Sequence, residues 1–125
     1  MDSRLVECLQ CLADDFTLGI STIKTGHPMG AFSPGGKEND HFFYRAADVD
    51  TVNAIPLLDN PRLDEWIRLG RSIAALPPAI RPDRIYGPTE WHAALGIAPE
   101  FGFISDPFHD AIHIDHLHLG YARIT

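Results

Sequence analysis

The chain has 125 residues, of which 45% are hydrophobic, and this length and composition suit one domain with a single core. The formal net charge is −7 and the ten Lys and Arg residues are scattered, which argues against a nucleic-acid-binding surface. No apolar run approaches the roughly 20 residues of a membrane span, and residues 1–10 lack the basic and apolar regions of a signal peptide.

The N-terminal segment predicts an amphipathic helix from about Ser3 to Asp15, with Ser3 as its cap. Apolar residues at i, i+3 and i+4 spacings form its expected buried stripe: Leu5, Cys8, Leu9, Leu12 and Phe16. Cys8 and Cys11 form a CxxC pattern inside this helix, without a second cysteine pair or a flanking strand. We therefore interpret Cys8 as a reduced core thiol and Cys11 as its neighbour, and not as a redox or zinc motif.

The next segment predicts a strand, a loop and a second strand. Residues 17–24 alternate between apolar and polar side chains, and a Gly- and Pro-rich loop follows from Thr25 to Asn39. Residues 42–47 indicate a further loop that leads into a short strand. In that strand Ala47 and Val49 would face the core, whereas Asp48 would lie on the opposite face and project from a strand edge.

A second helix is predicted between Asn60 and Pro77. Asn60 suits the N-cap, Pro61 suits the first turn, and the Pro77-Pro78 pair would stop the helix. Its expected buried stripe is Leu63, Trp66, Ile67, Ile73 and Leu76. Beyond it, residues 84–86 predict a short strand and residues 87–106 predict mostly loop.

The C-terminal segment predicts a final strand over Ile112–Arg123 that closes the sheet. A strand would place His116 and His118 on one face, with their Cα atoms about 6.6 Å apart, and His113 and Asp115 on the other. At that separation one imidazole can bind a metal ion while the other reaches a water ligand of the metal. Two or three helices and three to five strands, joined mostly by turns, predict an α+β fold with an antiparallel sheet.

One histidine lies far upstream of this cluster. His41 precedes Asp48 by seven positions, which would separate them by about 23 Å in a strand and about 10.5 Å in a helix. Two ligands of one metal ion lie within a few Å of each other, so a turn must separate these two residues if both bind. Taken alone, Asp48 is better explained as one of several surface acids and His41 as a loop histidine.

The segments Asn39–Asp48 (NDHFFYRAAD) and His113–Tyr121 (HIDHLHLGY) together resemble a superfamily of zinc peptidases. It comprises D-alanyl-D-alanine carboxypeptidases, murein endopeptidases and lysostaphin-like enzymes, and its pattern is HxxxxxxD followed by a distant HxH. Residues 20–28 (ISTIKTGHP) are similar to the strand and turn before the first motif. The resemblance implies a hedgehog/D-Ala-D-Ala peptidase-like fold and hydrolysis of a peptidoglycan stem or cross-link peptide by a zinc-activated water.

The resemblance also implies the roles of individual residues. His41, Asp48 and His118 would bind one Zn²⁺ per chain and leave a fourth position for water. His116 would be the catalytic histidine beside the metal, as a base or as a stabiliser of the oxyanion, with His113 as its supporting or proton-relay partner. Asp115 could fix an imidazole tautomer, although a regular strand would point its side chain away from His116.

Two positions depart from the superfamily pattern: Asn39 stands where Ser is usual, and Tyr44 stands where Gly is usual. At Tyr44 either the backbone differs or the ring lies over the metal. An alternative function is therefore a catalytically inactive, metal-binding relative that serves as a binding or structural module. The resemblance implies the cell envelope, the extracellular space or phage lysis. Because no signal peptide is seen, three alternatives stay open: a domain cut from a longer exported protein, release by phage-type lysis, or an intracellular substrate.

Three further patterns compete with this interpretation. His109 and His113 stand four residues apart with Asp110 beside the first, which would mimic HExxH on a helix capped by Ser105 or Asp106 and opened by Pro107. Glu90-Trp91-His92 is one residue short of a Glu-x-x-His block, and we assign it to a loop wall near the cleft. Lys24 or His27 could anchor a substrate carboxylate, but ordinary surface chemistry is the preferred interpretation of both.

Overall fold

The structure is a computed structural model that describes residues 2–22 and 45–123. The predictions that concern five residues lie outside the described residues: Lys24, His27, Asn39, His41 and Tyr44. The predicted loop from Thr25 to Asn39 lies outside them as well.

Helix α1 spans Ser3–Ala13 and buries Leu5, Cys8 and Leu12, as its apolar spacing predicts. Its N-cap is Asp2 and not Ser3, because the Asp2 carboxylate accepts a 2.8 Å hydrogen bond from the Arg4 backbone N–H. The Cys8 thiol is free and fully buried, and burial raises its pKa to about 11. Cys11 is free and exposed.

Helix α2 spans Asp64–Ala74, so the predicted start at Asn60 is wrong. The Asn60 side chain instead donates hydrogen bonds to the carbonyls of Pro56 and Leu58, which holds it in the preceding turn. Leu63 stands at the N-cap and is 44% exposed, whereas it was expected in the buried stripe. The remainder of that stripe is buried or partly buried against the core: Trp66, Ile67, Ile73 and Leu76.

The stretch predicted as mostly loop contains a helix and a 3₁₀ turn. Helix α3 spans Thr89–Leu95 and the 3₁₀ turn spans Pro99–Phe101. Pro88 precedes α3 and Gly96 ends it with a left-handed backbone, φ 62°, which are ordinary start and stop signals for a helix. Trp91 is fully buried and donates a 2.9 Å hydrogen bond to the Trp66 carbonyl. Because a helix this short is not stable by itself, its contact with α2 stabilises it.

Helix α4 spans Pro107–Ile112, and the last strand is therefore shorter than predicted. Asp106 caps α4 by accepting a 2.9 Å hydrogen bond from the His109 backbone N–H, and Pro107 occupies the first helical position. Ile112 is 54% exposed at the end of this helix, whereas a strand would have set it beside His116 and His118. The cap and the proline together outweigh the β-propensity of the Ile-rich segment that follows.

The described strands form an open antiparallel sheet. They are β1 Leu18–Thr22, β2 Ala46–Val52, β3 Ile55–Pro56, β4 Arg84–Tyr86 and β5 Leu117–Gly120. Their order is β1-β2-β5-β4, and β3 pairs with β2. The described residues contain four helices, so the predicted number of two or three is wrong, whereas the predicted α+β class with an antiparallel sheet is confirmed.

The core lies on one face of the sheet. Ala47 and Val49 are fully buried there, as predicted, and pair in register with Leu119 and Leu117 of β5. These strand residues belong to one core with the buried faces of the helices, among them Leu5, Trp66, Leu69, Ile73 and Trp91. Across the described part of the chain, no helix is both long and apolar enough to cross a membrane.

Candidate functional site

A row of polar side chains crosses the other face of the sheet. Asp48 of β2 pairs in register with His118 of β5, and His118 pairs with Tyr86 of β4. Register partners in an antiparallel sheet project from the same face, so these three side chains stand side by side. Strand β2 lies between β1 and β5. Asp48 therefore belongs to the middle of the sheet.

The structure brings Asp48 together with both histidines of the HxH pattern. The distance from Asp48 Oδ1 to His118 Nδ1 is 3.5 Å, and that from Asp48 Oδ1 to His116 Nε2 is 4.0 Å. Asp48 is 7% exposed and His118 is 6% exposed, so the carboxylate and this imidazole face each other out of bulk water. Electrostatic interactions between such groups are stronger than on the surface.

Asp115 is closer to His116 than a regular strand would allow. His116 Nδ1 donates a 2.7 Å hydrogen bond to Asp115 Oδ1. This contact is possible because β5 begins at Leu117, so residues 115 and 116 do not alternate between faces. In the neutral imidazole the lone pair is then on Nε2, the nitrogen that faces Asp48.

His113 joins the same cluster, although it was expected on the opposite face from His116 and His118. It ends α4, and its ring centroid lies 4.9 Å from that of His116 and 5.9 Å from that of His118. The prediction is wrong because the chain is helical up to Ile112 and turns before β5. His113 Nδ1 donates a 2.6 Å hydrogen bond to the His109 carbonyl, which leaves the lone pair on Nε2.

The His113 side chain is neutral near pH 7. Burial lowers its pKa to about 4, and the neighbouring His118 and His116 act in the same direction, while the hydrogen bond to the His109 carbonyl opposes them. With its N–H held by a carbonyl and its other nitrogen unprotonated, His113 presents a hydrogen-bond acceptor to the cluster at neutral pH.

Tyr86 belongs to the cluster and was not a candidate in the sequence analysis. Its ring is stacked on His109, with centroids 4.5 Å apart and planes 2° apart, and lies 5.0 Å from His113 and 5.2 Å from His118. The short strand at residues 84–86 was predicted correctly. Its place beside β5 depends on strand order, which no local pattern in the sequence encodes.

The competing HExxH-like pattern does lie partly on a helix, but its acid is used elsewhere. Asp110 is 5% exposed, and its Oδ2 accepts 2.7 Å hydrogen bonds from the Thr89 and Ser105 hydroxyls. Its Oδ1 accepts a 3.2 Å hydrogen bond from the Asp106 backbone N–H. Asp110 therefore joins the start of α3 to α4 and does not face an open site. His109 Nδ1 is 2.6 Å from Asp106 Oδ2.

The Glu90-Trp91-His92 segment was assigned to a loop wall and is instead part of α3. Trp91 belongs to the core, and His92 packs edge-on against Trp91 and Phe103. Burial lowers the pKa of His92. His92 is thus a partly buried neighbour of the core, and its ring contacts among the described residues are with Trp91 and Phe103, not with the row on the sheet.

The donor atoms of the row suit a zinc ion in part. Two ligands at the usual zinc distances of about 2.0–2.1 Å are roughly 3.3 Å apart in a tetrahedral site, and Asp48 Oδ1 and His118 Nδ1 are 3.5 Å apart. Within residues 2–22 and 45–123, no group of three or more His, Cys, Asp or Glu side chains is arranged to hold a metal ion. The third expected ligand, His41, lies outside these residues.

A cavity opens beside His116. Its volume is about 370 Å³, and its walls include the Asp50 and Asp115 carboxylates and the Ser21 and Thr51 hydroxyls. His116 is 22% exposed, so its ring has contact both with the buried Asp48 and with this open space. A bound molecule in the cavity would reach the edge of the histidine cluster.

Fold and site together define an α+β domain with three imidazoles and a buried carboxylate clustered at one face of an antiparallel sheet. No protein-family model, curated protein or solved structure matches this chain.

Proposed function

We propose that this domain is a zinc-dependent peptidase or amidohydrolase that cleaves a peptidoglycan stem or cross-link peptide. The observation that carries the proposal is the pairing of Asp48 with His118 on adjacent strands, with 3.5 Å between Oδ1 and Nδ1. That separation suits two neighbouring ligands of one zinc ion. A hedgehog/D-Ala-D-Ala peptidase-like fold is part of the proposal, and the α+β class with an antiparallel sheet is compatible with it.

Asp48 and His118 would hold the zinc ion, with His41 as the third ligand. Zinc, when bound, supplies a Lewis acid for a substrate carbonyl and lowers the pKa of a water molecule towards neutrality. Asp48 and His118 come from strands β2 and β5, whose hydrogen-bonded ladder fixes their backbones. A rigid pair of strands is a better base for a metal site than a loop, because ligand positions must be held within a fraction of an Å.

His116 is the proposed general base. Its Nδ1–H is held by Asp115 at 2.7 Å, so Nε2 is the nitrogen that can accept a proton from an attacking water. Nε2 lies 4.0 Å from Asp48 Oδ1, next to the proposed ligands, and the ring also borders the cavity of about 370 Å³. The Asp115 carboxylate would stabilise the imidazolium after proton transfer, and His116 would then return the proton to the leaving amine.

His113 is the proposed proton-relay partner of His116. Their ring centroids are 4.9 Å apart, and burial keeps His113 neutral because its pKa is lowered to about 4. Because its pKa is low, a neutral His113 with its lone pair on Nε2 would hold a proton from His116 only transiently. Transient protonation suits a proton relay, whereas a permanent positive charge would not.

Zinc content is the first test of the proposal. Elemental analysis of purified protein should give about one zinc per chain, and Asp48→Asn and His118→Ala should each lose it. Glu100→Gln is a suitable control because Glu100 is an exposed acid on the 3₁₀ turn. Full zinc content in both site variants would contradict the ligand assignment.

Activity is the second test. His116→Ala should retain zinc and lose hydrolysis of purified peptidoglycan fragments by about 10²- to 10⁴-fold, the usual contribution of a general base. The assay is the appearance of new amine termini. A wild-type protein that binds zinc and releases no amine at any pH near neutrality would be a catalytically inactive relative, the alternative that the Asn39 and Tyr44 substitutions suggest.

A further inference from the structure

Tyr86 is neither a proposed zinc ligand nor a proposed proton carrier, yet it lies at the centre of the histidine cluster. Strand β4 places it directly opposite His118 of β5, and their ring centroids are 5.2 Å apart with planes inclined by 41°. The sheet register therefore makes Tyr86 the lateral neighbour of a proposed ligand on one side, as Asp48 is on the other.

Helix α4 holds the same ring from another direction. His109 is stacked on Tyr86 with planes only 2° apart at 4.5 Å, and the His113 centroid is 5.0 Å away. Aromatic rings at such distances make specific contacts beyond simple burial. The ring of Tyr86 is thus constrained by α4 while it contacts the imidazole on β5.

A histidine ligand must present its nitrogen to the metal in one ring orientation. Side chains around the ligands commonly supply this constraint, and their loss weakens metal binding although they do not touch the metal. For His118 the ring of Tyr86 is an aromatic contact from β4 at the same register, on the side opposite Asp48. A smaller side chain at this position would remove that contact from one side of the imidazole.

We infer that Tyr86 is a positioning residue of the proposed zinc site, and that its aromatic ring fixes the orientation of His118 for metal binding. This inference rests on the proposed function, because it assigns a partner to one of the proposed ligands. It adds a residue from β4 to a site whose proposed ligands and base come from other parts of the chain.

The test compares the zinc affinity of three variants with that of the wild type, by competition with a chromophoric chelator at a temperature where each protein is folded. Tyr86→Leu removes the ring and should weaken zinc binding about 10- to 100-fold, the range seen for residues that orient ligands. Tyr86→Phe keeps the ring and should bind like the wild type. Phe101→Leu removes a partly exposed ring that lies over Arg81, away from the cluster, and should also bind like the wild type.

Cobalt substitution adds a readout that a loss of stability would not produce. The visible absorption of bound Co²⁺ reports the ligand geometry, so Tyr86→Leu should change its band while Tyr86→Phe should not. Equal affinities and spectra for Tyr86→Leu and the wild type would overturn the inference. Equal weakening by Tyr86→Phe and Tyr86→Leu would overturn it too, since the hydroxyl would then be the group that matters.

Two outcomes separate this inference from the proposed function. If the wild-type protein binds no zinc, both the proposed function and the role of Tyr86 are contradicted. If the wild type binds zinc and Tyr86→Leu binds it equally tightly, only the role of Tyr86 is contradicted. If Tyr86→Leu does not fold, nuclear Overhauser effects between the ring protons of Tyr86 and His118 in the zinc-loaded wild type decide the matter. Their presence supports the contact and their absence overturns it.

Discussion

Removal of the Asp110 carboxylate should both destabilise the domain and loosen the helix that carries His113. Asp110 is 5% exposed and accepts two 2.7 Å hydrogen bonds from the Thr89 and Ser105 hydroxyls, in addition to one from the Asp106 backbone. Hydrogen bonds to a charged group contribute about 1.5–3 kcal/mol each in folded proteins. Both hydroxyls lie in part-buried surroundings and regain some bonding to water once the carboxylate is gone, so the lower end of that range applies.

Two bonds at the lower end give an expected loss of about 3 kcal/mol for Asp110→Ala, measured by urea unfolding. Asp110→Asn retains one acceptor oxygen, so its expected loss is smaller, about 1 kcal/mol. A double-mutant cycle between Asp110→Asn and Ser105→Ala should show a coupling energy, because the two side chains share a hydrogen bond. The exposed Glu100→Gln serves as the control.

The same substitution should change the titration of His113. Because burial is the main reason that the pKa of His113 is lowered to about 4, a looser α4 should raise that pKa towards the ordinary value near 6.5. NMR titration of the imidazole protons measures it. If Asp110→Ala costs no more than the Glu100→Gln control and leaves the His113 titration unchanged, Asp110 does not anchor α4 and the reasoning fails.

Three further predictions follow from single contacts. The metal-free protein should lose up to roughly 3 kcal/mol of stability as the pH falls from about 6.5 to about 4, because the unfolded chain protonates His113 in this window and the folded chain does not. In denaturant titrations, His113→Gln should flatten this part of the pH profile. An unchanged profile would contradict the lowered pKa of His113. Gly70→Ala should destabilise the domain by about 1 kcal/mol in thermal or urea unfolding, despite the higher helix propensity of Ala. The reason is that the new Cβ would lie 2.6 Å from Leu95 Cδ1 and 3.0 Å from the buried Trp91 ring. Greater stability of this variant would show that helices α2 and α3 move apart freely. A thiol-specific alkylating reagent at pH 8 should modify Cys11 and spare Cys8, because burial raises the pKa of Cys8 to about 11. Mass spectrometry of the peptides measures the labelling of each cysteine. Equal labelling of the two would show that α1 opens readily.

Several elements were predictable because their signals are local. The apolar spacing of α1, the proline stop of α2 and the alternation that sends Val49 to the core are confirmed. The boundaries were less predictable, since Asn60 satisfies its amide through Pro56 and Leu58 instead of capping α2. The helix α3 was missed although Pro88 and Gly96 mark its ends, because seven residues are too few for a clear period.

The candidate site was predictable in its residue types and not in its arrangement. The sequence pattern selected Asp48, His116 and His118, and the structure brings these three together. The sequence pattern assigned His113 to the wrong face, because Asp106 and Pro107 start a helix that replaces the first part of the predicted strand. Tyr86 was not selected because its chemistry is ordinary and only its ring contacts with His109 and His118 place it in the cluster.

The sequence by itself determined the α+β class, the two faces of β2, and the presence of an HxH pattern with an acid upstream. These depend on periodicity and spacing along the chain, which are local properties. Only the tertiary structure decided that Asp48, His118 and Tyr86 form one row and that His113 packs into it from α4. The reason is physical: strand order and helix packing follow from burial of the whole apolar core, and that burial brings together side chains whose separation in sequence carries no signal.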